Sequence, residues 1–386
     1  MSRAALWSNF LTQQSSKLAN CLAPTTYCSV ATAKPVPSKP LNAPARGAAS
    51  TQPSTKTKIR SMSNLKTVIK QFANRRFDSF TKSSLTSLMS GEAISFLDVG
   101  AANGAPPRWS AVCEFIDYCA VEPDPRSSSE ILRQETESQY NSERLITKAL
   151  WNEPGEISLN LCRKAMTSSI YVPNDDFAKL FPDSSRLDII ERIVLPCTTI
   201  DEVTENSGLQ FDAIKLDIQG AELNALVGAE KSLTSVLAIE VEVEFYELYR
   251  NQPLFDNVFS FLKSHGFDLI DLTSLYRWSP REFTGLGQLT FSDALFMRPP
   301  EKIASTGTES EIRKYASVCV IYRRGDMIAR LASALERFNG QSKLINTISE
   351  IGIAIEKQNL RALKFYNLAS KVIQVISPYA RAHMTH

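Results

Sequence analysis

The chain has 386 residues, of which 43% are apolar and 22% are charged, values typical of a soluble globular protein. No apolar run approaches the roughly 20 residues that a membrane-spanning helix needs, so we expect no transmembrane segment. The net charge of +2 is unevenly distributed, because residues 1–77 hold twelve of the 43 basic residues and none of the 41 acidic ones. The remainder is acidic, which argues against nucleic acid as the main partner.

Residues 1–61 are rich in Ser, Thr, Ala and Pro, a composition that buries too little apolar surface to order a chain. We therefore expect a disordered segment. Its basic, acid-free character resembles an organelle transit peptide. A flexible tail, or an overlong gene start with the true initiator at Met62, are the alternatives. We expect a cytoplasmic location, and the transit-like segment makes an organelle the alternative.

Residues 62–90 are predicted to form a helical lead-in, and residues 91–300 alternate short apolar strands with helices, which indicates a mainly parallel sheet. The seven predicted strands are Ser95–Val99, Tyr118–Val121, Leu145–Ala149, Ala213–Leu216, Leu237–Val243, Phe267–Asp271 and Ala294–Met297. The predicted helices are Pro107–Phe115, Ser127–Ser138, Glu222–Ser232 and Leu254–His265. A hairpin could add Ile157–Leu161. Residues 301–386 are predicted to be a helical C-terminal extension, through which a homo-oligomer could form.

The first predicted strand ends at Asp98 and is followed by a turn that contains Gly100 and Gly104. Glycine allows the backbone to approach a ligand closely. The second strand ends at Glu122, where a carboxylate can accept both hydroxyls of a ribose. This combination suits both S-adenosylmethionine and NAD, but the third glycine of a dinucleotide site is absent, which favours S-adenosylmethionine. The alternative is an ordinary strand–helix turn with Glu122 facing solvent.

Three further cofactor contacts are predicted around this turn. Asp98 could meet the ammonium group of S-adenosylmethionine. Ala101 lies within the turn, and Ala149 lies at the end of the third predicted strand. No metal is expected, because the chain has only three histidines and its seven cysteines form no C-x-x-C pair.

A second motif, Lys215-x-Asp217-x-Gln219-Gly220-x-Glu222, resembles the FkbM-family signature Lys-x-Asp-x-Glu-Gly-x-Glu. Other segments resemble the family in the same order: Asp98–Ala101, Pro106–Trp109, Glu122–Pro125, Leu226–Ala229, Ile239–Val241, Gly266–Phe267 and Ser292–Phe296. The resemblance covers about 200 residues and leaves out residues 1–90 and 301–386. The chain departs from the family at Gln219, usually Glu, and at Asn103, often Gly.

The resemblance implies a Rossmann-like class I methyltransferase fold over residues 91–300. It also implies transfer of a methyl group from S-adenosylmethionine, usually to a hydroxyl of a sugar, glycan or natural product. Asp217 is the first candidate for a catalytic base or an acceptor-orienting group; the alternative is a helix-capping role. Glu240 is a weaker candidate, since Glu242 and Glu244 continue its alternation and all three could face water.

Two other functions remain open at this stage. One is a non-catalytic scaffold on a degenerate methyltransferase fold, with the helical extension as its interface, which Gln219 slightly favours. The other is an NAD-dependent oxidoreductase, which the missing third glycine disfavours. His265 is expected to stabilise a helix end, and Thr167–Ser169 could line the acceptor pocket.

Overall fold

The computed structural model describes residues 78–134, 139–280 and 287–376, all of which belong to one compact unit, residues 75–386. The predictions for residues 1–77, including the disordered segment and most of the helical lead-in, lie outside the described residues. The first described element, α1, is a helix over 78–88.

Ten strands form two sheets in the part of the chain that the structure describes. Their bounds are β1 (Ile94–Val99), β2 (Ile116–Val121), β3 (Ser142–Ile146), β4 (Ala149–Leu150), β5 (Gly155–Cys162), β6 (Ile189–Thr198), β7 (Ala213–Leu216), β8 (Ala238–Glu244), β9 (Asp268–Trp278) and β10 (Gln288–Met297). The main sheet has the order β3-β2-β1-β7-β8-β10-β9. Only β10 runs antiparallel to its neighbours. This topology confirms the predicted Rossmann-like class I methyltransferase fold with its mainly parallel seven-stranded sheet.

Helices cover both faces of the main sheet, so its central strands are apolar along nearly their whole length. The helices after α1 are α2 (Pro107–Ser110), α3 (Pro125–Gln134), α4 (Asp175–Ala178), α5 (Ile200–Ser207), α6 (Glu222–Val227), α7 (Phe255–Ser264), α8 (Pro300–Thr306), α9 (Glu309–Ile321), α10 (Gly325–Asn339) and α11 (Lys343–Ile376). Residues of α5, α6 and α7 share a core with one face. Residues of α1, α2 and α8–α11 share a core with the other.

Four local predictions differ from the structure. The predicted helix Pro107–Phe115 is the short α2 followed by a separate 3-10 turn, and the predicted helix Glu222–Ser232 ends at Val227. Gly228 is the C-cap of this helix, and a Cβ there would lie 2.3 Å from the Trp151 carbonyl oxygen, so the position requires glycine. The predicted strand Leu145–Ala149 is split into β3 and β4. The predicted hairpin is wrong, since β5 pairs with the distant β6 and forms the small sheet β4-β6-β5.

The C-terminal helices lie directly on the main sheet. Buried side chains of α9–α11, including Tyr315, Leu331 and Ile348, belong to the same core as Phe96 of β1 and Leu295 of β10. Because burial of apolar surface stabilises a fold by about 25 cal/mol per Å², these helices contribute to the stability of the sheet. Within the described ranges, no helix is both long and apolar enough to cross a membrane.

Candidate active site

A cavity of about 470 Å³ opens at the carboxyl ends of the parallel strands, where open α/β sheets bind their ligands. It extends from the end of β2 to β9 and β10 at the far edge. Its lining includes Gly100, Asn103, Glu122, Asp124, Ala149, Leu150, Asp217, Gln219, Glu242, Tyr249, Tyr276, Trp278 and Phe291. Lys164–Ser168 also contribute to its wall. Four of the eight predicted site residues, Gly100, Glu122, Ala149 and Asp217, therefore meet in one cavity.

The turn at residues 100–104, here called the cofactor turn, depends on glycine for a reason internal to the protein. Gly100 has φ +86°, and a Cβ at this position would lie 2.0 Å from the carbonyl oxygen of Asp217. The amides of Gly100 and Ala101 both donate to the Val121 carbonyl, at 2.9 and 3.1 Å. Gly104 has φ +71° and open space around it, and its amide donates to the Ala101 carbonyl at 2.8 Å.

Glu122 lies at the end of β2 and is only 5% exposed. Its Oε1 accepts a hydrogen bond from the Asp124 amide at 2.8 Å. Burial raises the pKa of this carboxyl to about 7, because removal from water disfavours the charged form. The alternative in which Glu122 faces solvent is wrong, and the carboxyl instead forms part of the cavity wall.

Asp98 lies outside the cavity, so the structure does not bring it together with the other predicted cofactor contacts. Its carboxyl is fully buried; Tyr118 donates its hydroxyl to Oδ2 at 2.9 Å, and the Lys215 ammonium lies 3.6 Å from Oδ1. Burial raises the pKa of Asp98 to about 6. Its contacts join three neighbouring strands beneath the cofactor turn. Ala101 and Gly104 also lie outside the cavity and shape the turn without lining the site.

Asp217 follows β7 and faces the cavity with a side chain that is 37% exposed. The Gln219 amide nitrogen donates to Asp217 Oδ1 at 3.1 Å and to Glu242 Oε2 at 2.7 Å. The Gln219 side-chain oxygen accepts a hydrogen bond from the Tyr249 hydroxyl at 2.9 Å. The capping alternative is wrong, because α6 begins at the N-cap Ala221 without any side-chain cap.

Glu240 does not reach the cavity either. Its Oε2 accepts hydrogen bonds from Arg108 at 3.1 Å and from the Tyr322 hydroxyl at 2.8 Å, on the face covered by the C-terminal helices. The structure therefore does not bring Glu240, the second predicted catalytic residue, together with Asp217. Glu242, two residues along the strand, lines the cavity in its place, and burial raises its pKa. None of Glu240, Glu242 and Glu244 faces water, since they are 4%, 8% and 2% exposed.

The remaining sequence candidates have structural roles or line the wall. The His265 imidazole Nδ1 lies 2.8 Å from the Phe261 carbonyl at the end of α7. Thr167 and Ser168 line the cavity, and the Ser169 hydroxyl donates to the backbone oxygen of Gln219 at 2.7 Å. Among the described residues, no group of three or more His, Cys, Asp or Glu side chains is arranged to hold a metal ion.

Comparison with solved structures finds methyltransferases at low similarity. Magnesium protoporphyrin IX methyltransferase from Synechocystis, solved with bound S-adenosylmethionine, is 11% identical over 60% of this chain and 81% of its own, with a TM-score of 0.30. An rRNA methylase from Streptococcus thermophilus is 10% identical over 56% and 93%, also with a TM-score of 0.30. The 1,6-didemethyltoxoflavin-N1-methyltransferase of Burkholderia thailandensis is 11% identical over 65% and 92%, with a TM-score of 0.27.

No curated protein sequence matches the chain. Residues 98–269 match the methyltransferase FkbM domain. This range begins near the end of β1 and ends in β9, so it contains the cofactor turn, Glu122, Asp217 and Glu242. The part of the chain that holds the cavity is therefore similar to the methyltransferase domain of the FkbM family.

Proposed function

We propose that the protein transfers the methyl group of S-adenosylmethionine to a hydroxyl oxygen of a small-molecule or glycan acceptor. The observation that carries the proposal is that one cavity contains both the Glu122 carboxyl and the Asp217 carboxylate, at the ends of β2 and β7. The sulfonium is already activated, so the protein needs only to align the acceptor oxygen, the methyl carbon and the sulfur, and to exclude water.

At the cofactor end, Glu122 would accept hydrogen bonds from the two ribose hydroxyls. The backbone of Gly100 would run beside the sulfonium part of the cofactor, and Ala149 with Leu150 would contact the adenine. These roles are supported by the position of all four residues on the cavity wall. Ala101 and Gly104 would act through the shape of the cofactor turn.

At the acceptor end, Asp217 would orient the hydroxyl or remove its proton. The carboxylate is held by Lys215, whose ammonium lies 3.5 Å from Oδ2, and by the Gln219 amide at Oδ1. The neighbouring wall is aromatic: Tyr276 stacks on Phe291 with 4.4 Å between ring centroids. Such a wall can hold a ring-shaped acceptor against its face.

Two measurements on the unchanged chain test the proposal. Calorimetry with S-adenosylhomocysteine should show saturable binding, and labelled S-adenosylmethionine should transfer its methyl to a member of a panel of hydroxylated sugars and cyclic alcohols. Binding without transfer to any oxygen acceptor would contradict O-methylation, and lack of cofactor binding would favour the non-catalytic scaffold. Tight NADH binding would favour the oxidoreductase.

A further inference from the structure

The side chain of Tyr322, which lies beyond the FkbM match, connects the C-terminal helices to the segment that follows the cofactor turn. Tyr322 caps the C-terminal end of α9 and is 9% exposed. Its hydroxyl donates to Glu240 Oε2 at 2.8 Å, and Arg108 donates to the same oxygen at 3.1 Å. The Arg108 guanidinium carbon also lies 4.9 Å from the centroid of the Tyr322 ring. Tyr322, Glu240 and Arg108 therefore contact one another pairwise.

Arg108 belongs to α2, a helix whose position depends on tertiary contacts. The helix has four residues, and its N-cap, Pro106, makes no side-chain cap hydrogen bond. Helices this short are unstable in isolation, so tertiary contacts must fix them. Trp109 supplies one contact by stacking on Phe96 with 4.0 Å between centroids, and it meets Tyr322 edge-on at 5.9 Å. Arg108 supplies the other, through Glu240 and Tyr322.

The cofactor turn connects β1 to α2. On the β1 side, the amides of Gly100 and Ala101 bond to the second strand. Beyond the internal bond from Gly104 to Ala101, the turn runs through Ala105 and Pro106 directly into α2. A displacement of α2 would therefore move Ala102 and Asn103, both of which line the cavity.

The backbone after Tyr322 is held in a conformation that favours glycine. Arg323 has φ +57°, in the left-handed region, and the amide of Arg324 donates back to the Cys319 carbonyl at 2.8 Å. Asn359 of α11 donates to the Arg323 carbonyl at 3.2 Å. The end of α9 is therefore fixed by a second C-terminal helix, and with it the position of the Tyr322 ring.

We infer that Tyr322 is a positioning residue: through Glu240 and Arg108 it fixes α2, and thereby holds the cofactor turn in its binding geometry. The inference rests on the proposed binding of S-adenosylmethionine. It gives the C-terminal helices a function in that site, although none of their described residues lines the cavity.

Tyr322→Phe tests the inference, since it removes the hydroxyl and keeps the ring. Tyr315→Phe is the matched control, because Tyr315 lies in the same helix, is fully buried, and donates its hydroxyl to the Arg298 carbonyl at 2.7 Å. The measurement is the Kd of S-adenosylhomocysteine by calorimetry on the full chain, beside the melting temperature. Tyr322→Phe should weaken binding by about three- to tenfold, the size of a modest coupling between sites. Tyr315→Phe should leave the Kd within about twofold while lowering the melting temperature comparably.

Arg108→Gln provides a second test of the same link. If Tyr322 acts through Arg108, the double variant Tyr322→Phe/Arg108→Gln should bind no more weakly than Arg108→Gln alone, because contacting residues are not additive. Additive losses would overturn the inference. So would an unchanged Kd for Tyr322→Phe, or equal losses for both tyrosine variants. Lack of binding by the unchanged chain is a different result, which overturns the proposed function and the inference with it.

Discussion

If Glu122 binds the ribose as proposed, we expect its raised pKa to make cofactor binding dependent on pH. Burial raises this pKa from the ordinary value of 4.5 to about 7. An ionised carboxylate can accept both ribose hydroxyls, whereas the neutral acid loses acceptor capacity. Near pH 6 only about a tenth of the free protein would carry ionised Glu122, against about nine tenths near pH 8. Since the apparent Kd scales inversely with the competent fraction, it should rise about tenfold from pH 8 to pH 6.

Calorimetry with S-adenosylhomocysteine at pH 6, 7 and 8 measures this effect, and Glu122→Gln is the control. The glutamine cannot ionise, so its Kd should be higher by at least about tenfold at pH 8, from the loss of charge-assisted hydrogen bonds, and nearly independent of pH. Asp98, whose pKa is about 6, titrates in part of the same range but is present in both proteins. A flat profile for the unchanged protein, or parallel profiles for both, would refute the role given to Glu122.

The same raised pKa has a consequence for stability, with the opposite dependence on pH. A carboxyl whose pKa is higher in the folded state binds its proton more tightly there, so stability falls as pH rises from about 4.5 to about 7. Without ligand, Glu122→Gln should therefore melt above the unchanged protein at pH 8 and show little difference at pH 4. Such a gain in stability with a loss of affinity is expected of a binding residue.

Four other substitutions test the rest of the site. Asp217→Asn should slow methyl transfer by about 10²–10⁴-fold while cofactor affinity stays near normal, and near-normal turnover would refute a catalytic role. Gly100→Ala should abolish cofactor binding and lower the melting temperature strongly, because its Cβ would lie 2.0 Å from a backbone oxygen; Gly104→Ala meets no atom within 4 Å and should cost only about 1 kcal/mol. Gln219→Glu should destabilise the protein at pH 8 and less at pH 5, since it adds a carboxylate beside Asp217 and Glu242; melting curves that do not differ between the two pH values would contradict this.

The elements that position the site could be predicted from sequence because their signals are local. The ends of β1 and β2 are marked by Gly100 and Glu122, and parallel strands bring their carboxyl ends to one edge. Register is a different matter. Lys215 pairs with Glu240 in the ladder, so Glu240 lies one strand across from Lys215, and Glu242 comes level with Asp217. Alternation places Glu240 and Glu242 on the same face, but only the register shows which one reaches the cavity.

Long-range contacts explain the other differences. Gly100 is a glycine because of the Asp217 carbonyl, which is 117 residues away in sequence, and Asp98 is shielded by Tyr118 and Lys215 from two other strands. No local pattern reveals either neighbour. The function of Tyr322 is hidden in the same way, since its partners belong to β8 and α2.

The interpretation of Gln219 differs most between the sequence and the structure. As a departure from the family signature, it slightly favoured a decayed site. In the structure it has φ +58°, a left-handed conformation that costs a non-glycine residue on the order of 1–3 kcal/mol and that persists where surrounding contacts enforce it. Those contacts are present: its amide donates to two carboxylates and accepts from Tyr249. A glutamate here would place three carboxylates together, whereas the glutamine replaces that repulsion with hydrogen bonds. These hydrogen bonds give the glutamine a physical explanation, so its departure from the family signature does not by itself indicate a decayed site.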